Sequence, residues 1–248
     1  MSTVGVGTLE LVLYRGLVSR VFMAIVVRAR GATLRSHQHR DFTMSNQRTF
    51  LDARRRMLGT TAALLGLPLE ARAYDIMQGE TRTTEFLSKV NPNGRIPVLQ
   101  ISDASGARFL PESNAACWYL AHGSALIPAD RFAQADMLRW MFFEQYNHEP
   151  NVATLRFWLH FVGEANLSAE QRGQMMAKRI AGCAALDLMN RHLAGTAFFC
   201  GEAVTLADIA LFPYTHVAEE GGFGLGDYPH IQRWIARVEA LPGFVPMQ

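Results

Sequence analysis

The chain has 248 residues, 49% hydrophobic and 19% charged, which is material for one large folded domain or two small ones and excludes a disordered chain. Its three cysteines, Cys117, Cys183 and Cys200, exclude a disulfide-built scaffold, fit a reducing, cytoplasmic setting and lack the spacing of a zinc or CxxC redox site. Net charge is +2, yet residues 1–56 carry ten arginines against Glu10, Asp41 and Asp52, and residues 57–248 are net acidic. The early arginines are not interleaved with aromatics or glycines, and no apolar run reaches the roughly 18 residues that span a membrane, so neither nucleic acid nor membrane is an expected partner.

In chain order, residues 9–14 and 21–28 are rich in apolar and β-branched residues and predict strands; 31–50 are polar, without periodicity, and read as a loop or a disordered stretch. Residues 54–66 predict a helix stopped by Gly66 and Pro68. The triplet Arg54-Arg55-Arg56 and the apolar run after it have the outline of a twin-arginine export signal, but the run serves equally as this helix. Residues 69–75 alternate as a strand, and 81–90 predict a short helix closed by the turn cluster Asn91-Pro92-Asn93-Gly94. Strands follow at 95–102 and 107–111 around a hairpin turn, then a helix at 112–122. Beyond Pro128 the pattern is helical only: 130–149 and 151–163 with Pro150 as a kink or break, then 168–193, 205–219 and 228–240. The division is an atypical segment 1–50, disordered or supplying the first strand, an α/β domain over 51–124 and an all-α domain over 128–248.

Two short motifs carry chemistry. Pro97 stands at the start of a strand, where a missing ladder donor is tolerated; were the Ile96–Pro97 bond cis, the Ile96 N–H and C=O would turn outward and could pair with an extended, peptide-like ligand. Pro111-Glu112-Ser113-Asn114 opens a helix, where a serine hydroxyl and free backbone N–H groups suit a carboxylate and Glu112 suits an ammonium group. An ordinary turn proline and a plain helix cap are the competing readings of each motif taken alone. No HxxxH, HExxH, GxGxxG or GxxxxGK[ST] spacing is present, so neither metal nor nucleotide is expected.

Together, in this order of elements, the two motifs resemble the thioredoxin-like N-terminal domain of the glutathione S-transferase superfamily, and Thr205-Leu206-Ala207-Asp208 resembles the structural N-capping box of its all-α C-terminal domain. The resemblance covers about residues 57–248. It implies a thioredoxin-like α/β domain followed by a helical domain. It also implies a cytoplasmic homodimer that binds glutathione, keeps it as thiolate and adds it to a small apolar electrophile, a detoxification chemistry. By the same resemblance Ile96, before a cis-Pro97, holds the cysteinyl backbone, Glu112 and Ser113 hold the γ-glutamyl end, and Arg82 or Thr81 meets the glycine carboxylate. Trp140, Phe143 and Tyr146 would line the electrophile pocket, although aromatics at helical spacing also suit a core.

The family's thiol-activating Tyr, Ser or Cys has no counterpart at 52–56, where the sequence is Asp52-Ala53-Arg54-Arg55-Arg56. Either residues 9–14 are the first strand and Ser19 takes the catalytic part, with 31–53 as an insertion, or residues 1–56 are not the family's own N-terminus, as after a misassigned start. The alternative function is a non-catalytic glutathione-binding or scaffold protein of the same fold; a disulfide reductase is disfavoured because no cysteine opens the first helix.

Overall fold

The computed structural model describes residues 7–10, 26–31, 52–68, 70–76, 78–103 and 106–244, with backbone alone at 7–10, 26–31, 52–56 and 103. The chain divides into two compact units between Leu120 and Ala121.

The first unit contains β1 (Gly7–Glu10), β2 (Val26–Gly31), α1 (Asp52–Leu64), β3 (Ala71–Arg72), α2 (Thr84–Lys89), β4 (Val98–Asp103), β5 (Gly106–Pro111) and α3 (Ser113–Leu120). The sheet order is β1-β2-β4-β5, with β3 also on β2. β2 and β4 run parallel, Val26 opposite Val98 and Ala29 opposite Ile101; the other pairs are antiparallel. A parallel pair with an antiparallel edge and flanking helices is the thioredoxin-like arrangement.

Several boundaries differ from the sequence expectation. The strands expected at 9–14 and 21–28 stand at Gly7–Glu10 and Val26–Gly31, because a run of β-branched residues marks a strand while its partner fixes which residues join the ladder. The strand expected over 69–75 pairs only at Ala71–Arg72. From Asp75 the chain turns instead: Asp75 Oδ1 accepts from Gln78 N at 3.0 Å and Glu80 Oε2 from Asp75 N at 2.6 Å. Thr83 Oγ1 accepts from Phe86 N at 3.2 Å, so α2 starts at Thr84, after a 3₁₀ turn at Glu80–Arg82. α1 ends as expected on Gly66 in the left-handed conformation, with Leu67 N donating to Ala62 O at 2.8 Å. Tyr74, Phe86, Ile96 and Val98 form a buried cluster.

The second unit contains α4 (Arg131–Phe143), α5 (Thr154–Arg156), α6 (Ala169–His192), α7 (Leu206–Thr215) and α8 (Pro229–Glu239). α4 and α5 are parts of one helical rod. Its turns widen to π geometry over Glu144–Ala153 and again over Phe157–Val162. Pro150 therefore does not break the helix as expected. The wide turns accommodate its missing donor, and its carbonyl accepts from Lys178 Nζ at 2.8 Å. The core centres on Trp140, whose ring meets His192 at 4.7 Å, Phe199 at 4.6 Å and Phe143 at 5.2 Å; Phe199 in turn stands edge-on to Trp234.

Candidate functional site

The two motifs of the α/β unit meet at one end of a single ladder. Val98, the first residue of β4, pairs with Pro111, the last of β5. Ile96-Pro97 therefore leads into the ladder where Glu112-Ser113 leaves it. The Ile96–Pro97 peptide bond is cis. Among the described residues, no turn or ladder bond uses the N–H or C=O of Ile96, and both residues are buried.

The approach to Ile96 is built tightly. Asn91 spans the turn, its Nδ2 donating to Arg95 O at 2.8 Å and its Oδ1 accepting from Asn93 N at 3.0 Å. Gly94 has φ 63°, and a Cβ there would stand 3.0 Å from the backbone carbonyl of Thr81, so the position favours glycine. Arg82, exposed at the end of the 3₁₀ turn, donates from Nη1 to Asn93 O at 3.2 Å. Its guanidinium is thereby tied to the turn before Ile96, beside the ladder end. Asn91 and Gly94 are structural members of the site that sequence reasoning took only as turn punctuation; the Asn-Pro-Asn-Gly spelling was their signal.

On the other side of the ladder end, Ser113 is 1% exposed at the first turn of α3. Glu112 is exposed and sits at φ 70°, the one described non-glycine residue with positive φ. Its carbonyl accepts from Ala116 N at 2.9 Å, which starts the helix. Such a conformation costs a side-chain-bearing residue about 1–3 kcal/mol and recurs at ligand clamps. It places the α3 N-terminus, with its positive dipole end, beside the Glu112 carboxylate.

Ser19 lies outside the described residues. The strand parallel to β4 is Val26–Gly31, which follows Ser19 in sequence, whereas the arrangement expected for a catalytic Ser19 needed that strand before it. Asp52, too, opens α1 and follows no described strand directly.

In the helical unit Thr205 and Asp208 form the expected capping box, and it is buried. Asp208 Oδ2 accepts from Thr205 N at 2.9 Å and Oγ1 at 3.1 Å; Oδ1 accepts from Phe199 N at 3.0 Å and Trp234 Nε1 at 2.9 Å. Burial pushes this carboxyl above its ordinary range, and the four donors pull against that shift. The three candidate pocket aromatics are not brought together. Trp140 is 1% exposed and belongs to the core, Phe143 is half-buried against it, and Tyr146 is 84% exposed. Trp140 is therefore a packing residue, because its ring is enclosed by His192 and Phe199. Among the described residues no three His, Cys, Asp or Glu side chains gather as a metal site, and no helix is long and apolar enough to cross a membrane.

Comparison with known proteins follows the same division. The family model of the glutathione S-transferase N-terminal domain matches residues 56–122, and that of the C-terminal domain matches residues 164–242. Glutathione S-transferase 2 of Anopheles gambiae is 30% identical over 194 residues, 76% of this chain and 87% of that one. The crystal structure of a glutathione S-transferase from Pseudomonas fluorescens superposes with TM-score 0.72 at 43% identity, covering 79% of this chain and 94% of that one. A glutathione transferase family member from the same organism, crystallised with two glutathione molecules, gives 0.68 at 26%, covering 77% and 86%. Two domain models in order and a fold shared over most of the chain show that this protein belongs to the glutathione S-transferase superfamily.

Proposed function

We propose that the protein is a glutathione transferase, which binds glutathione in its α/β unit and adds the thiolate to a small apolar electrophile. The observation that carries this reading is the juxtaposition at the β4–β5 ladder end: the Ile96 N–H and C=O, unused among the described residues, beside buried Ser113 at the start of α3. An extended tripeptide pairs with Ile96 as an added strand does. Its γ-glutamyl carboxylate rests on Ser113 and the α3 N-terminus, and Glu112 takes the ammonium group. The remaining guanidinium nitrogens of Arg82 face the glycine carboxylate. Holding thiolate and electrophile together, with the thiol pKa lowered, is the source of rate. Phe143 and Tyr146 are the aromatics left for the electrophile, since Trp140 is committed to the core. The exposed Phe132 and Phe142 on the α4 rod support a homodimer, and the three free cysteines support a cytoplasmic setting.

The donor that favours the thiolate is Ser19 or a hydroxyl after β2, where the sequence offers Thr33 and Ser36. That Ser19 precedes the strand parallel to β4 favours a second reading, a glutathione-binding protein without turnover.

Titration calorimetry with glutathione on the whole chain and on Ser113→Ala tests the proposal. Micromolar-to-millimolar binding, weakened at least tenfold in the variant while circular dichroism is unchanged, is the expected result. Turnover of an aromatic halide by the same protein then separates the enzyme from the binding protein, with Ser19→Ala and Ser36→Ala locating the donor. No binding by the folded chain overturns both readings.

A further inference from the structure

Along the buried face of the helical rod, Trp140, Glu144 and His148 follow one another at four-residue intervals, and each is at most 1% exposed. The first interval is α-helical and the second lies in the π stretch. His148 Nε2 stands 3.0 Å from Thr215 Oγ1, and that hydroxyl donates to Leu211 O at 2.7 Å. The hydroxyl proton is committed to Leu211, so the imidazole is the donor to Thr215 and its proton sits on Nε2. Nδ1 is then a bare lone-pair acceptor, fully buried, with no hydrogen-bond partner. Trp140 Nε1, which can only donate, is buried without a partner as well. By contrast, the other indole of this core, that of Trp234, is bonded to Asp208.

Each such group left dry costs about 1–3 kcal/mol. The two need opposite partners, since one must be donated to and the other must be accepted from. A carbonyl can only accept, an ammonium group can only donate, and a metal ion on Nδ1 would leave the indole N–H unanswered. A hydroxylic molecule does both, and water is the one small enough for a packed interior. Eight helical residues rise roughly 12 Å, so a single water cannot reach both atoms. The buried carboxylate between them, whose Oε2 accepts from Gln145 Nε2 at 2.5 Å, is polar surface along which a second water can stand. Widened π turns are frequent where a helix carries function in its interior.

We propose that the helical unit encloses a polar hydration site, a short file of internal water that bonds Trp140 Nε1 at one end and His148 Nδ1 at the other, past the Glu144 carboxylate. It lies wholly within the second unit and does not depend on the glutathione reading. Its neutral imidazole end is stable against protonation, because burial holds His148 down to about 3.

The test uses the unmodified full chain. In rotating-frame water spectra of ¹⁵N-tryptophan-labelled protein, the Trp140 indole proton is expected to show a cross-peak to long-lived water. The Trp234 indole, bonded to a carboxylate, shows none. Trp140→Phe serves only to assign the signal. A high-resolution crystal structure is expected to hold ordered water within about 3 Å of both Trp140 Nε1 and His148 Nδ1; this needs no variant. Absence of the cross-peak at Trp140, or of water at either atom in the crystal, overturns the proposal.

Discussion

At the scale of single residues, the side chains that decide most are polar groups placed where water is excluded. His148 makes this measurable. Its imidazole has an ordinary value of 6.5 and is held down to about 3 by burial, so the native state stays neutral through the mildly acidic range while the unfolded chain takes up a proton. The sign follows directly: the stability is present in full above pH 6.5 and is lost as pH falls from there towards 3, at no more than about 1.4 kcal/mol per pH unit. Between pH 7 and pH 5 the wild type is expected to lose about 2 kcal/mol more than His148→Gln, read from urea unfolding at both values. Equal losses would show that His148 is not buried and neutral in solution. The sequence placed His148 on the helical rod but gave no sign of its neighbours, because Thr215 and Leu211 come from α7, far along the chain. Ile96, Pro97, Glu112 and Ser113 were legible for the opposite reason. Each motif is a local backbone device, spelled by proline or by a helix start within four residues.

At the scale of elements, two helices begin with the same device in different surroundings. α6 starts at Ser168, whose Oγ accepts from Gln171 N at 3.1 Å while Gln171 Oε1 accepts from Ser168 N at 2.8 Å, all at the exposed surface. α7 starts at Thr205 with Asp208 in the reciprocal position, but there the carboxylate is 0% exposed and also holds Phe199 N and Trp234 Nε1. Capping alone is worth about 1 kcal/mol, so Ser168→Ala is expected to cost about that much. Asp208→Asn puts an amide donor among four donors in a dry site, and the expected loss is about 3–5 kcal/mol. Denaturant midpoints of the two variants check the contrast; comparable losses would mean that the buried network adds nothing to the cap. Both boxes are readable from four consecutive residues. The continuity of the rod past Pro150 is not, since a proline reads as a break until the wide turns around it and the Lys178 bond to its carbonyl are seen.

At the scale of the whole molecule, the succession of an α/β unit and a helical unit was legible, because hydrophobic period and turn spelling change together near Pro128; the two compact units divide a few residues earlier, between Leu120 and Ala121. What escaped the sequence is the register of the sheet's early strands: β2 takes its bounds from β4, some seventy residues later. The candidate site inherits this asymmetry. Its legible residues, Arg82, Ile96, Pro97, Glu112 and Ser113, all fall within the first unit and converge on one ladder end, so glutathione should act on that unit's stability first. A ligand bound only by the native state adds about 2.7 kcal/mol at a hundredfold excess over Kd. Protection should concentrate where bound ligand takes up free backbone groups. In hydrogen exchange with saturating glutathione, peptides covering 91–99 and 111–117 are expected to slow, the Ile96 amide most of all, because it has no partner among the described residues. Peptides of α6, whose amides are bonded within a 24-residue helix, are expected to exchange as before. Slowing confined to α6, with residues 91–99 unchanged, would move the ligand out of the α/β unit and refute the assignment of Ile96 and Ser113 together.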